Sequence, residues 1–324
     1  MADHIKLQPI ASFLSQVVYN AFFHPLSKYP GPFFHKISRI PYFYKHINGT
    51  LPFDMLDLHR KYGDIVRIAP DELAFSHPDA WKDIMGHQKS GKELGKAMWF
   101  YQPVEAMPKH IVNEPREEHA RIRRQLAHGF SEKGMREQEP IIKHYLDLFI
   151  RQLRSLSERG ENPGLDMGKL VANAEILIIG GSETTATLLS GATYYILRHP
   201  DVLNKLVEEV RTTFQSEDDI NLVSVGQLTY MLAVLNEALR MYPPIANGLP
   251  RQVPQEGTRI LDQFIPGNTY VAIHQWALYR REEYFLHADE FHPERFLDDQ
   301  RFAQDRKDTL QPFHVGPRNC LGRK

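Results

Sequence analysis

The chain has 324 residues, 42% of them hydrophobic and 24% charged, enough to bury one large core or two modest ones. A formal net charge of -1 gives no electrostatic case for nucleic acid. The single cysteine excludes an internal disulfide and a cysteine-rich zinc site, and it fits a reducing compartment. The 22 prolines point to many turns. In chain order, the first element is the apolar run Ile10 to Phe23, interrupted by Ser12, Ser15, Gln16 and Asn20. It is shorter than the roughly 20 apolar residues a bilayer span needs. Two readings stay open: a first helix packed on the body, or the remnant of an anchor lying on a membrane surface. HPLSKYPGP is a rigid, turn-rich segment, because proline fixes its own backbone and restricts its predecessor. DIVRIAPDELAFS reads as a hairpin, with Val66 and Ile68 alternating before a Pro70-Asp71 turn and Leu73 and Phe75 after it. Helices are predicted over 114–130, which is basic in its middle, and over 139–156, with apolar residues at helical spacing. Residues 172–200 are apolar nearly all round, which predicts a buried central helix. An amphipathic helix over 201–214 and another over 228–244, stopped by Pro243-Pro244, follow. TYVAIH is the strand candidate in an otherwise irregular C-terminal part.

The stretch FHVGPRNCLG holds Cys320, four residues from the last one. A lone cysteine is usually an inert, buried small hydrophobe. Its neighbours argue for more. Gly316 and Gly322 allow tight turns and close backbone approach to something flat, Phe313 offers an apolar wall, and Arg318 favours a thiolate or holds a carboxylate. A thiolate in that setting is an axial ligand for haem iron. Elsewhere LNEALR sets Glu237 and Arg240 three apart on one helical face, ordinarily a weak surface pair. GGSETT places two glycines inside the apolar helix, each costing about 1 kcal/mol relative to alanine. There is no His-Glu-x-x-His, no glycine-rich phosphate loop and no serine elbow.

The pattern F-x-x-G-x-R-x-C-x-G, carried by Phe313, Gly316, Arg318, Cys320 and Gly322, resembles the haem-binding loop of the cytochrome P-450 monooxygenases. The wider wording (FHPLSKYPGP, GGSETT, FHPERF, RNCLGRK) is similar to fungal members of secondary metabolism, in order along nearly the whole chain. The resemblance implies a mainly α fold with minor β, and one domain over residues 1–324. It implies haem iron held by Cys320, and it makes Phe313, Gly316, Arg318 and Gly322 part of the haem loop. Glu237, Arg240 and Arg295 become a structural triad that locks this loop. Glu183 and Thr184 relay protons to bound dioxygen at a local widening of the helix. Arg123, with His119 in the aromatic slot before it, and Arg251 join Arg318 as haem propionate ligands. The implied partners are O2, an apolar small-molecule substrate, and a separate reductase supplying electrons from NADPH, for which the basic helix around Arg121, Arg123 and Arg124 offers a docking face. Family members usually sit on the endoplasmic reticulum membrane facing the cytosol; without a clear anchor, this chain is expected to be cytoplasmic or peripheral.

Two departures accompany the resemblance. In the family the interval between Arg123 and Thr184 is far longer and includes the lid helices of the substrate channel, so an internal deletion with its junction near 157–171 is expected. A long helix follows the ligand cysteine in the family, where this chain has LGRK, so an incomplete C-terminal end is expected as well. Loss of those elements predicts exposed apolar helix faces and a marginal fold. The leading expectation is a haem-thiolate monooxygenase. The alternative is a truncated, inactive relic with weak or no haem binding. A haem protein that rearranges its substrate without a reductase is a third.

Overall fold

The computed structural model describes residues 11–87, 93–127, 167–221 and 223–323. The apolar run at the start is helical over residues 11–18 (α1) and finishes in a wider π turn, Tyr19–Phe23. Buried Asn20 anchors it. Its amide donates to the Ile37 carbonyl at 3.3 Å, and its own carbonyl accepts from the buried Arg67 guanidinium at 2.9 Å. The aromatic side chains of this segment stay outside: Phe22 and Phe23 are exposed. Pro30-Gly31-Pro32 then leads into α2 (Phe33–Ile37), α3 (Ile40–Ile47) and α4 (Leu51–Tyr62). Gly31 is required here, because a Cβ would meet the Arg67 carbonyl oxygen at 2.3 Å.

The predicted hairpin forms as β1 (Ile65–Ala69) and β2 (Glu72–Phe75), antiparallel with Ile65 opposite Phe75. Its alternation sorts side chains to two faces, both covered. Ile65, Leu73 and Phe75 join a core with Trp81, Ile84 and Phe285, while Val66, Ile68 and Ala74 pack on Leu51 and Met55 of α4. The chain continues through α5 (Ala80–Met85), β3 (Gly95–Lys96), α6 (Met98–Tyr101) and α7 (Arg116–Ala127). The predicted helix over 139–156 and most of the expected junction lie outside the described residues. Beyond them come α8 (Met167–Arg198), α9 (Pro200–Thr213) and α10 (Thr229–Met241). Strands β4 (Arg251–Gln252), β5 (Thr258–Ile260), β6 (Gln263–Ile265) and β7 (Tyr270–Ile273) follow, then the short α11 (Gln275–Leu278). One sheet has the order β1-β2-β7-β4-β3, with β7 parallel to β2 and antiparallel to β4; β5 and β6 pair separately.

The central helix departs from expectation. α8 is one continuous helix, packed at its two ends: Ala172 and Asn173 are buried near its start, with Asn173 Oδ1 accepting from the Ile111 N–H at 2.8 Å, and Ala192 lies with Val202 of α9 and Val234, Ala238 and Met241 of α10. Between those ends its apolar side chains are open, with Ile178 66% and Leu189 55% exposed. An all-round apolar surface predicts burial only if neighbours exist to cover it, and among the described residues none covers this stretch. Gly180 and Gly181 neither break the helix nor admit a close neighbour, since a Cβ on either meets nothing within 4 Å.

Candidate active site

The loop around Cys320 is built on α5. Gly316 has φ 81°, and a Cβ there would lie 1.9 Å from the Met85 carbonyl oxygen, so only glycine lets the loop pass this close. His314, also at positive φ, is buried edge-on to Trp81 at 5.0 Å. The Gln275 amide donates to His314 Nε2 at 2.7 Å, and burial pushes this imidazole down to about 4, so it accepts as the neutral ring. The Cys320 N–H closes the loop by donating to the Phe313 carbonyl at 2.8 Å. The thiol itself is exposed, against the bland expectation of a buried cysteine, and Gly322 beyond it is open.

Three arginines singled out by sequence converge from separate elements. Arg123 on α7 donates to the Asn319 carbonyl at 2.7 Å and to Asn319 Oδ1 at 2.6 Å, tying α7 to the residue before the thiol. Burial lowers its guanidinium, and the nearby Cys320 opposes that shift. Arg318 ion-pairs with Glu93 at 2.7 Å and donates to the Glu114 carbonyl at 3.1 Å. Arg251, buried on β4, donates from Nε to Met85 Sδ at 3.2 Å, and among the described residues its Nη1 has no hydrogen-bond partner. Two further bases, Lys96 and His119, share this field. His119 is buried and falls to about 3, through burial first and then Arg318, Lys96, Arg123 and Arg251. Five basic side chains thus face one another with Glu93 as the carboxylate ion-paired among them. An orphaned buried guanidinium nitrogen in such a field is strongly unfavourable unless an anion occupies the space in front of it. The two carboxylates of a haem edge fit that demand in charge and in donor type.

Glu237, Arg240 and Arg295 are fully buried and in contact. Arg240 grips the Glu237 carboxylate with two bonds of 2.8 Å, and Arg295 Nε donates to the same group at 3.1 Å. The remaining guanidinium hydrogens go to the carbonyls of Tyr279, Leu286, Ala288 and Glu290. Asp305, which sequence reasoning missed, accepts from Arg295 Nη1 and balances the charge. This cluster stitches α10 to the segment that leads into the cysteine loop. Glu183 and Thr184 behave differently: they lie on the open stretch of α8, Glu183 exposed and the Thr184 hydroxyl donating back to the Gly180 carbonyl at 2.6 Å. The structure brings neither into hydrogen-bonding contact with the cysteine loop. A cleft of about 750 Å3, lined by residues such as Lys28, Asp64, Asp83 and Gln263, shares no residue with this site.

The cytochrome P-450 family model matches residues 155–324. Cytochrome P-450 monooxygenase prhB of Penicillium brasilianum is 39% identical, the match covering 96% of this chain and 86% of the relative. Cytochrome P-450 monooxygenase 1 of Neocamarosporium betae is 36% identical over 98% of this chain and 87% of its own. The trichothecene C-15 hydroxylase of Fusarium sporotrichioides is 34% identical over 97% and 86%. The first alignment runs over 419 positions, more than the 324 residues of this chain, so an internal stretch of the relative has no counterpart here. A family match over the C-terminal half and relatives spanning nearly all of the sequence together make the chain a member of the cytochrome P-450 family of oxidoreductases, akin to the fungal monooxygenases of secondary metabolism.

Proposed function

We propose that the chain is a haem-thiolate monooxygenase that inserts one oxygen atom of O2 into an apolar small molecule, with electrons from NADPH through a separate reductase. The observation that carries this reading is the convergence of Arg123, Arg251, Arg318, Lys96 and His119 beside the Cys320 loop, with Arg251 Nη1 unpartnered. When bound, the haem supplies dioxygen activation at its iron. The protein's own residues do the rest. Arg251 and Arg318 would hold the carboxylates, Arg123 fixes the loop through Asn319, and Cys320 would hold the iron through its sulfur. Phe313 walls the loop. Gly316 and Gly322 let it turn. The Glu237–Arg240–Arg295 cluster holds the loop's approach rigid. Thr184 Oγ1 and the Glu183 carboxylate are the groups on α8 that pass protons.

The missing internal stretch belongs, in this reading, between Arg123 and Thr184, near 157–171; the family match beginning at residue 155 supports that placement. The open α8 face favours a second reading, a truncated, inactive relic with weak or no haem binding. The two separate in a turnover assay with a reductase, NADPH and labelled O2 on apolar polycyclic substrates. One labelled atom in the product supports monooxygenation. No product together with weak or absent haem binding selects the relic.

The finer location is peripheral, on a lipid surface. No described helix is long and apolar enough to cross a membrane. Residues 11–53 contain no Asp or Glu, and they expose Phe22, Phe23, Phe33, Phe34, Ile40 and Ile47. Exposed aromatics on a segment that itself carries no carboxylate suit an anionic bilayer face.

A further inference from the structure

The chain contains two Asn-Gly pairs, Asn48-Gly49 and Asn247-Gly248, and the fold treats them in opposite ways. Asparagine before glycine is chemically labile, because no Cβ on the following residue shields the backbone nitrogen from the carboxamide carbon. At Asn247 that nitrogen is locked. Gly248 is buried, its N–H donates to His274 Nδ1 at 3.2 Å, and a Cβ there would lie 2.7 Å from the Ala272 Cβ. At Asn48 nothing confines it. This residue caps the C-terminal end of α3, and Asn48, Gly49 and Thr50 are all exposed. Gly49 has φ 70°, and no heavy atom lies within 4 Å of where its Cβ would be. The Asn48 carboxamide has no hydrogen-bond partner among the described residues. The Gly49 N–H donates to the His46 carbonyl at 3.2 Å, a long bond at a helix end, where fraying costs little.

We propose that Asn48 is a modification site at which the chain attacks itself. The Gly49 nitrogen, giving up its proton, bonds to Asn48 Cγ; the Cγ–NH2 bond breaks and the amide leaves as ammonia with that proton. Water then opens the five-membered imide at either carbonyl. This restores an N–H and leaves a carboxylate at position 48, in an aspartyl or isoaspartyl residue. Water is the only co-reactant. The consequence falls on the lipid-facing surface, and that half of the inference rests on the membrane reading above. Asn48 continues the exposed stripe of Ile40 and Tyr44 at helical spacing, beside exposed Ile47. Residues 11–53 carry no carboxylate, so conversion places the first one inside that segment. Lys45, one turn back, is already paired with Asp54 at 3.1 Å. The negative end of the α3 dipole opposes the new charge as well. The carboxylate therefore faces an anionic bilayer without a counter-charge, and conversion loosens the contact.

The full chain is aged in mildly alkaline buffer, mapped by peptide mass, and floated with vesicles of phosphatidylcholine and phosphatidylserine. Position 48 should convert roughly tenfold faster than position 247, or more. Aged wild type and unaged Asn48→Asp should bind the anionic vesicles roughly fivefold more weakly than unaged wild type, the effect of one charge near such a surface. Vesicles of phosphatidylcholine alone should show a smaller loss. Asn48→Gln, whose longer side chain closes the imide far more slowly, should age without loss. An unconverted Asn48, or equal conversion at Asn247, overturns the modification. Conversion at position 48 with vesicle binding unchanged overturns its role at the lipid surface. Unaged wild type that does not float overturns the membrane reading instead, and the mass map still decides the modification.

Discussion

Glu237 sits fully buried beneath two guanidiniums. Taking one member out of such a cluster leaves an uncompensated buried charge, which costs about 3–5 kcal/mol. Glu237→Gln should therefore lower the unfolding free energy by that amount, read as a lower urea midpoint at unchanged slope, and Asp305→Asn should do much the same by unpairing Arg295. Glu237 and Arg240 were legible as three-apart residues on one helix, and Arg295 through its family motif. Asp305 was not, because it reaches Arg295 from a 3-10-rich segment that has no periodicity to read. Lys96 escaped for a related reason. Its meaning comes from a cross-strand partner, Arg251, that only the folded sheet supplies.

At the scale of elements, α8 and the N-terminal helices carry the same lesson. Local pattern named both as helical, but exposure depends on what else is present to cover them. The bare part of α8 predicts self-association driven by apolar area at roughly 25 cal/mol per Å2. Replacing Ile178 and Ile179, both exposed, with Lys and Glu should shift light scattering towards monomer. Thermal stability should move by no more than about 0.5 kcal/mol per site. The N-terminal face predicts binding to anionic vesicles. Phe23→Ser with Ile47→Ser, at positions 72% and 81% exposed, should weaken flotation roughly tenfold or more without changing the fold. Equal flotation of the pair would place the membrane contact elsewhere. The β2–β7 parallel pairing was not readable at all, since Phe75 and Ile273 meet across most of the chain and neither strand announces its partner.

Across the whole molecule, buried histidines set the acid limit. His59 and His314 are pushed down to about 4 and His274 to about 3, in each case chiefly by burial. Each folded-state value lies below the unfolded one near 6.5, so the unfolded chain binds more protons on the acid side. Stability from these groups is complete above about pH 6.5 and is lost as pH falls towards 4. Urea midpoints should fall steadily as pH drops from 6.5 towards 4. A midpoint unchanged at pH 4.5 would mean that the imidazoles titrate freely in the fold.

The central claim is that the converged cations and the Cys320 loop hold haem through the thiolate. The most direct test is the carbon monoxide difference spectrum of the reduced, haem-supplemented protein beside Cys320→Ala. The account predicts a red-shifted Soret band in the parent and its loss in the variant. No band in the parent, or the same band in both, would contradict it.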